Sequence, residues 1–373
     1  MSYQLTVPCL LGLEAPIADE LRRLGLDHVA AENGRVNFTG GAEAIAKANV
    51  NLRVGERVLL ELGRFQALSF DELFEGTRAL PWESIIPKDG AFPVKGYSLN
   101  SKLFSVSDCQ SIIKKAIVER LKAVYHVSWF QETGASYQVQ FSIMKDQVSL
   151  CIDTSGEGLH KRGYRPAHNA APLKETMAAA MVKFSRYRGR DDFCDPFCGS
   201  GTIPIEAALI AKNRAPGLNR SFAAQSWQGL DKKIWLDAAE EAMDQEFHGS
   251  YEIWGGDIDP QAIEIARHNA QLAEVDDVVK FEVDDATRFH WGGLYGRVVT
   301  NPPYGERLLE RQEAEELYRA FGRAMDKLPD TWRVYVLSSH TEFERCFGRV
   351  ADKRRKLYNG MLKCDLFMYG KKL

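Results

Sequence analysis

The second half of the chain alternates short apolar runs with amphipathic helical segments, and this alternation constrains the fold more than any other feature. The apolar runs are, in order, "DDFCD", "YEIWGGD", "VVKFEVDD", "GRVVTN" and "WRVYVLSS". Helical patterns beginning near Thr202, Asp231, Pro260 and Arg311 separate them. The pattern predicts an α/β fold with a doubly wound, mostly parallel, Rossmann-like sheet. Two strand-like runs about a turn, "RKLYNGMLKCDLFMYG", predict an antiparallel hairpin at its end.

The first half shows a different pattern, in which strands and helices form two successive α+β groups. Residues 1–54 contain two strand-like runs and two helical patterns, and the same order restarts near Val54. The second group ends in two alternating runs, "SYQVQFSIM" and "DQVSLCIDTS", separated by Lys145 and Asp146, which predicts a hairpin. We therefore expect three domains, at 1–54, 55–160 and 161–373.

Composition narrows the class of protein. The chain has 373 residues, of which 45% are hydrophobic and 27% charged, so we expect folded domains rather than disorder. The N-terminal run has no basic lead typical of a signal peptide, and no apolar run is long enough to span a membrane. Seven scattered cysteines favour a cytoplasmic location over a disulfide framework. We expect no metal, because Cys194 and Cys198 lack a second ligand pair at zinc-finger spacing.

The stretch "FCDPFCGSGTIPIEAALIA" places a strand end, an acid, a glycine loop and a helix in that order. Glycines let the backbone pass close to a ligand, and the helix N-terminus presents free amide donors. No Lys-Ser/Thr pair follows the glycines, so the loop is not a phosphate-binding P-loop. A ligand with a nucleoside and a small charged group would fit, although a plain tight turn is an alternative. The candidate residues are Asp195, Pro196, Gly199, Gly201 and Thr202.

Acids also end the next two predicted strands. Asp257 follows its strand directly and can accept hydrogen bonds from ribose hydroxyls, whereas Asp259 is better placed to cap the following helix. At the third strand, Asp285 or the adjacent Asp284 can meet an adenine amino group, and we favour Asp285. The residues that directly follow the two favoured acids, Ile258 and Ala286, are included in the predicted cofactor site.

The fourth strand ends in Asn301, Pro302, Pro303 and Tyr304. The exocyclic amine of a base is a poor nucleophile because its lone pair is delocalised into the ring. An amide oxygen and a rigid main-chain carbonyl could orient such an amine toward an electrophile, and the tyrosine could stack on an extruded base. The alternative is a strand terminated by prolines beside a core tyrosine.

These motifs resemble a known family. "DPFCGSGT", "GGDID" and "NPPYGERL", with "FPVKGYS" and "LHKRGYR" before them, are similar to S-adenosylmethionine-dependent RNA methyltransferases with a THUMP domain, particularly bacterial 23S rRNA guanine-N2 methyltransferases. The resemblance covers nearly the whole chain. It implies a ferredoxin-like part at 1–54, a THUMP domain at 55–160 and a class I methyltransferase domain at 161–373.

The resemblance also implies residue roles. It places Asp195, Gly199 and Gly201 beneath the methionine part of S-adenosylmethionine, Asp257 at the ribose and Asp285 at the adenine. It assigns the target amine to Asn301, Pro302, Pro303 and Tyr304, and it places Asn301 at the cofactor as well. Lys174 and Glu175 are weaker candidates beside the methionine end, and Glu306 and Arg307 could contact the base or cap a loop.

An RNA partner, most simply 23S rRNA, is implied by the THUMP-like region. Basic residues on one helix and in the segment after it could follow the phosphates, although a solvated helix face is an alternative for the first group. The candidate RNA-binding residues are Lys114, Lys115, Lys161, Arg162 and Arg165, with Arg120, Lys122 and His160 beside them.

Three other functions remain open at this point. A tRNA guanine-N2 methyltransferase would share the THUMP-like region, and an amino methyltransferase acting on DNA adenine would share Asn-Pro-Pro-Tyr. A non-catalytic RNA-binding protein of ribosome assembly would need neither Asn301 nor Asp257, yet both are present. The sequence is compatible with either a monomer or a homodimer.

Overall fold

The computed structural model describes residues 2–165, 173–304, 308–360 and 362–370. Its contacts divide the chain into two compact units. The first comprises the residues up to Cys9, Ala18–Leu159 and Ser221–Glu240, and the second comprises Leu10–Ile17, His160–Arg220 and the residues from Glu241 onward. No helix in the described ranges is both long and apolar enough to cross a bilayer.

The helices and strands alternate along the chain. The strands are β1 (Tyr3–Pro8), β2 (Asp27–Glu32), β3 (Arg35–Gly40), β4 (Leu59–Gln66), β5 (Val94–Leu99), β6 (Val139–Met144), β7 (Gln147–Asp153), β8 (Asp192–Asp195), β9 (Ile253–Asp257), β10 (Val279–Val283), β11 (Gly296–Thr300), β12 (Arg333–Ser338), β13 (Lys353–Asn359) and β14 (Leu362–Tyr369). The α-helices are α1 (Glu14–Arg23), α2 (Ala42–Asn51), α3 (Phe70–Arg78), α4 (Val106–Tyr125), α5 (Glu175–Phe184), α6 (Thr202–Ala211), α7 (Lys233–Asp244), α8 (Pro260–Leu272), α9 (Leu308–Met325) and α10 (Phe343–Phe347). Three short 3-10 turns cover Trp82–Ser84, Ala223–Ser226 and Ala286–Arg288.

The first unit is built on one seven-stranded sheet with the order β2-β3-β1-β4-β7-β6-β5. Its pairs are antiparallel except for the parallel pair of β5 and β6. The predicted hairpin joins β6 to β7, and both turn residues, Lys145 and Asp146, have positive φ, as a tight two-residue turn requires. Because β1 pairs with β4, the two predicted N-terminal groups share this one sheet.

A buried polar cluster fixes the end of β7 in this unit. The side chain of Asn49 donates to the hydroxyl of Thr154 over 2.8 Å and accepts from that of Ser155 over 2.5 Å. Arg57 forms an ion pair with the fully buried carboxylate of Asp153. Since every member has a partner, the cluster holds the chain rigidly where it leaves the sheet.

The second unit contains the predicted doubly wound sheet, with the order β10-β9-β8-β11-β12-β14-β13. The first five of these strands are parallel, and β14 runs antiparallel between β12 and β13. The α/β fold with a terminal antiparallel hairpin is therefore confirmed. The chain order turns back between β8 and β11, which is the position where open α/β sheets bind ligands at the carboxyl ends of their strands.

Aromatic packing closes one side of this sheet. Phe321 of α9, Phe343 and Phe347 of α10 and Phe367 of β14 are all nearly inaccessible to solvent, and Phe343 lies 4.7 Å from Phe367 between ring centroids. Burial of such rings is worth about 1.5–3 kcal/mol each. The core includes Val298 of β11 and therefore holds α9 against the strand that precedes Asn301.

Candidate active site

The ends of four neighbouring parallel strands open into one cavity of about 480 Å³. β8, β9 and β11 end near Asp195, Asp257 and Asn301, and the turn after β10 contributes Asp285. The sheet order brings the four together although more than a hundred residues separate the first from the last. Of the predicted cofactor and catalytic residues, the cavity lining includes Asp195, Pro196, Gly199, Thr202, Asp257, Ile258, Asp285, Ala286, Asn301, Pro302, Pro303 and Tyr304.

Asp195 is a buried carboxylate at the floor of the cavity. Its Oδ1 accepts the hydroxyl of Thr300 over 2.5 Å and the amide of Phe197 over 3.1 Å, which ties the end of β11 to the loop after β8. Its Oδ2 is buried and has no hydrogen-bond partner among the described residues. Burial raises the pKa of Asp195 to about 7, against the opposing effect of the Thr300 hydrogen bond. The free oxygen is thus available to a donor on a bound ligand.

We predict that the buried Asp195 carboxyl makes stability depend on pH. Its pKa is higher in the folded chain than the ordinary value of 3.8, so the folded protein holds the proton more tightly than the unfolded chain. The proton on Asp195 therefore stabilises the folded state fully below pH 4. This stabilisation is lost as the pH rises to about 7. The melting temperature of the wild type, relative to that of Asp195→Asn, should rise when the pH is lowered from about 8 to about 5. A constant difference across that range would contradict the assignment.

The two glycines of the loop after β8 have different surroundings. Gly199 has φ +52° and open space where a side chain would begin, and its amide donates to Asp257 Oδ2 over 2.9 Å. Gly201 has φ +83° and precedes α6, and a Cβ there would lie 2.8 Å from the buried ring of Phe281 and 3.0 Å from Ala266. Gly199 therefore borders the cavity, whereas Gly201 lets α6 begin close to the sheet and is not part of the cavity lining.

The pair of glycines yields a matched stability prediction. Gly201→Ala combines a left-handed conformation with a clash against a buried ring, so we expect a loss of about 2–4 kcal/mol. In Gly199→Ala the alanine must adopt the left-handed conformation but meets no neighbouring atom, so we expect a cost of about 1–2 kcal/mol. Thermal unfolding of both variants measures the difference. Equal losses would show that Phe281 and Ala266 move aside without cost.

The two acids at the end of β9, Asp257 and Asp259, have separate tasks. Asp257 lines the cavity, and its second oxygen, Oδ1, accepts the amide of Asp259 over 3.0 Å. Asp259 instead caps α8 by accepting the amide of Gln261 over 2.9 Å. Each oxygen of Asp257 receives one backbone donor, and each has a second lone pair left for another. The side chain is therefore held in place and still able to accept hydrogen bonds from vicinal hydroxyls.

The turn after β10 orients Asp285. Its Oδ1 accepts from both the amide and the hydroxyl of Thr287, over 2.9 and 2.7 Å. These bonds lower the pKa of Asp285 below its ordinary value, so the carboxylate is ionised at neutral pH. The adjacent Asp284 does not line the cavity, and its amide donates to the carbonyl of Asp257 over 3.0 Å.

The side chains of the Asn-Pro-Pro-Tyr turn contact one another. The hydroxyl of Tyr304 donates to Asn301 Oδ1, and the hydroxyl of Tyr318 in α9 donates to the carbonyl of Pro303. Burial holds the pKa of Tyr304 above its ordinary value, so that its hydroxyl remains a donor at neutral pH. Tyr304 also lies 3.9 Å from the thiol of Cys364 in β14. The sequence predicted a stacking ring here; its hydrogen bond to the amide oxygen was not anticipated.

Sequence reasoning missed several residues of the cavity wall. Phe197 packs edge-on against Phe321 at 5.0 Å between centroids, and Leu317 belongs to the same helix, α9. The other unpredicted lining residues are Leu173, Cys198, Ser200 and Ile203. Cys198 is a buried thiol whose pKa burial raises, so it remains protonated. Apolar residues at strand and loop ends give no sequence signal of their own, and only the packing of α9 brings Leu317 to the site.

The cavity has the size and the hydrogen-bond acceptors that S-adenosylmethionine requires. Its volume lies in the range of small-molecule sites, about 300–1,000 Å³. Ile258 is 73% exposed yet lines the cavity, and such an apolar surface suits the face of an adenine ring. The unpartnered oxygen of Asp195 can accept from an ammonium group, and Asp257 can accept from a ribose. When bound, the cofactor supplies an electrophilic methyl group on a sulfonium.

The predicted RNA-binding lysines on α4 differ in accessibility. Lys114 donates to Glu132 over 2.6 Å and to the carbonyl of Phe92 over 3.0 Å, and desolvation lowers its pKa. It therefore serves the fold of the first unit. Lys115 is exposed, and the nearby Arg120 and Lys122 are paired with Glu83 and Glu119.

The structure corrects one predicted RNA contact in the segment before α5. Arg162 is only 3% exposed and pairs with the buried Glu206 of α6, so a phosphate cannot reach its guanidinium. Arg165 is also largely buried and pairs with Glu175 over 3.0 Å. Lys161 is exposed. Lys174 precedes α5, while the candidates Glu306 and Arg307 lie outside the described residues.

The fold and the cavity define a class I S-adenosylmethionine-dependent methyltransferase. Comparison with known families agrees along the chain. Residues 162–367 match the RMKL-like methyltransferase domain, residues 4–59 the RlmL ferredoxin-like domain and residues 67–153 the THUMP domain. The chain belongs to this RMKL-like family of THUMP-containing, S-adenosylmethionine-dependent RNA methyltransferases, and the resemblance noted in the sequence is confirmed.

Individual relatives extend over the full length. YpsC of Bacillus subtilis (strain 168), named as an RNA methyltransferase, is 45% identical over 100% of this chain and 97% of its own. A structure from Listeria monocytogenes str. 4b F2365, named as a predicted N6-adenine-specific DNA methylase, is 49% identical with a TM-score of 0.94, covering 100% of this chain and 97% of that one. SMU.472, a methyltransferase complexed with SAH, is 42% identical with a TM-score of 0.92, covering 100% and 99%.

Proposed function

We propose that this enzyme transfers a methyl group from S-adenosylmethionine to the exocyclic N2 amine of a guanine in structured RNA, with 23S rRNA as the substrate. The observation that carries the proposal is the position of Asn301 and Pro302 in the cavity that also contains Asp257 and Asp285. An amine acceptor beside a nucleoside site is the arrangement that methylation of a base amine needs. The resemblance of the sequence motifs to bacterial 23S rRNA guanine-N2 methyltransferases favours rRNA.

In this proposal each polar group that lines the cavity has a defined role. Asp285 accepts from the adenine, Asp257 from the ribose and Asp195 from the ammonium of the methionine part. Asn301 Oδ1 and the Pro302 carbonyl accept the two hydrogens of the target amine, which directs its lone pair out of the base plane. Pro302 and Pro303 keep these acceptors fixed, so that no reorganisation is needed as charge develops on the nitrogen.

Tyr304 would act at two stages. Without RNA, its hydroxyl donates to Asn301 Oδ1 and so occupies one lone pair of that oxygen. With an extruded guanine bound, its ring is the stacking surface next to the amine, a contact worth about 1–3 kcal/mol. Removing the hydroxyl should therefore affect catalysis less than removing the ring.

The proposal extends to the domains and to the location in the cell. Residues 1–54 form the ferredoxin-like part, residues 55–160 the THUMP part and residues 161–373 the methyltransferase part, with Lys115 and Lys161 as exposed RNA contacts. A cytoplasmic location suits the seven free cysteines, and the protein would act as a monomer or a homodimer.

The deciding experiment is methyl transfer from labelled S-adenosylmethionine to total RNA from cells that lack the enzyme, followed by size separation and nucleoside analysis. We expect label in large ribosomal RNA as N2-methylguanosine. Label in tRNA as N2-methylguanosine would mean that the reaction is as proposed but that the substrate is tRNA. Label as N6-methyladenosine, or in DNA, would contradict guanine N2 and support the adenine alternative suggested by the name of the Listeria relative.

A further inference from the structure

The sheet of the first unit is strongly curled, and its inner face carries polar groups that the proposed methyl transfer does not use. Arg35 of β3 approaches the hydroxyl of Ser142 of β6 to 3.5 Å. Three strands, β1, β4 and β7, lie between β3 and β6 in the sheet. Because neighbouring strands are about 4.8 Å apart, a flat sheet would separate these two by about 19 Å. The contact therefore requires the sheet to close around its inner face.

A small cavity of about 50 Å³ lies between the strands of this sheet. Its lining includes Thr6, Arg35, Tyr97, Gln140 and Ser142. These residues come from four strands, β1, β3, β5 and β6. Tyr97 lies at the rim and is 46% exposed, so its ring can be reached from solvent. We call these five residues the inner-face site.

Two groups of the inner-face site lack the partners that such groups normally have. The hydroxyl of Thr6 is buried, at 3% exposure for the residue, and has no hydrogen-bond partner in the described part of the chain. Arg35 is half-buried, and no described carboxylate lies within ion-pair distance of it. By contrast, Arg64 on the same sheet is paired with Glu61 and Glu32. A cation without a carboxylate partner, in the same cavity as an unsatisfied hydroxyl, has the chemistry to bind an oxyanion.

A phosphodiester fits this chemistry. A guanidinium donates to two oxygens of one phosphate through its planar fork, and the hydroxyls of Thr6 and Ser142 can donate to the same group. Glu61, a carboxylate in the neighbouring strand β4, is already engaged by Arg64 over 2.8 Å. The exposed ring of Tyr97 offers a surface on which an adjacent unpaired base can stack.

We propose that the inner-face site binds one phosphate of a single-stranded segment of the RNA substrate, with Arg35 on the phosphate and Tyr97 on a neighbouring base. This inference rests on the RNA substrate of the proposed function and does not depend on which base is methylated. The site joins two strands of the ferredoxin-like match to two strands of the THUMP match, so both would contact the same RNA segment.

The test is direct binding of RNA to the full-length protein. Fluorescence anisotropy with a labelled single-stranded oligouridylate about ten nucleotides long, at several salt concentrations, gives affinity and salt dependence. Arg35→Ala should weaken binding about tenfold and reduce the slope of log K against log salt by about 0.7, the value for one lost phosphate contact on a single strand. Tyr97→Ala should weaken binding by about tenfold while leaving that slope unchanged.

The control is Arg78→Ala, which removes an exposed arginine paired with Glu75 on α3, outside the inner-face site. It should bind the oligonucleotide as the wild type does. Unchanged affinity and salt slope in both Arg35→Ala and Tyr97→Ala would overturn the inference. Tyr97 is partly exposed, so its variant keeps the test valid if Arg35→Ala folds poorly. No methyl transfer is measured, so failure of the guanine-N2 assay and failure of this binding test are distinguishable.

Discussion

Asn301→Ala should lower kcat for RNA methylation by about 10²–10³-fold while the protein still folds and binds S-adenosylmethionine. The variant removes the amide oxygen that lines the cavity next to the cofactor residues, and with it one of two proposed acceptors for the target amine. Without that acceptor, the lone pair of the amine is not directed at the electrophile. Single-turnover methylation and calorimetric binding of S-adenosylhomocysteine separate the two effects.

Tyr304→Phe is the matched control for this prediction. In Asn301→Ala the hydroxyl of Tyr304 loses its acceptor, so part of any effect could come from a displaced tyrosine. Tyr304→Phe breaks the same hydrogen bond but retains both the amide oxygen and the ring. We expect it to reduce kcat less than tenfold, in the range of one neutral hydrogen bond. Equal losses in the two variants would assign the effect to the position of Tyr304, and normal turnover of Asn301→Ala would refute amine orientation.

The sequence predicted the cofactor face of the site because its parts are local. Each candidate acid follows an apolar run, and parallel strands with helical crossovers must bring their carboxyl ends to one edge. Gly201 shows the limit of that reasoning. The glycine pattern placed it beneath a ligand, yet its neighbours are Phe281 of β10 and Ala266 of α8, which only the folded sheet brings to it. Side-chain packing between distant segments has no local signature.

The basic residues show a different limit. Charge in the sequence does not reveal whether a side chain is exposed or paired. Arg162 and Lys115 both appeared as candidate RNA contacts, but the first is buried against Glu206 and the second is exposed. Arg35, in contrast, was not among the predicted RNA contacts, because it is a single basic residue in a short strand. Only the curled sheet brings the other residues of the inner-face site close to Arg35.

The buried ion pair of Arg162 and Glu206 gives the second large prediction. Glu206 of α6 is fully buried, and it also accepts the hydroxyl of Tyr164 over 3.1 Å. Glu206→Ala leaves a guanidinium buried without this partner, which costs about 3–5 kcal/mol. For a unit of about two hundred residues, each kcal/mol lowers the melting temperature by about 2–4 °C, so we expect a fall of roughly 10 °C. Differential scanning calorimetry measures it.

Two further variants determine whether charge burial causes that loss. Asp277→Ala removes a carboxylate that is 63% exposed and paired with Lys212, so it should cost less than about 1 kcal/mol. The double variant Arg162→Met with Glu206→Leu replaces both buried charges by apolar groups and should recover most of the stability lost in Glu206→Ala. A double variant as unstable as the single one would mean that packing around α6, rather than the unpaired charge, sets the cost. Since α6 begins at Thr202 in the cofactor cavity, the same network then positions the loop that contains Gly199.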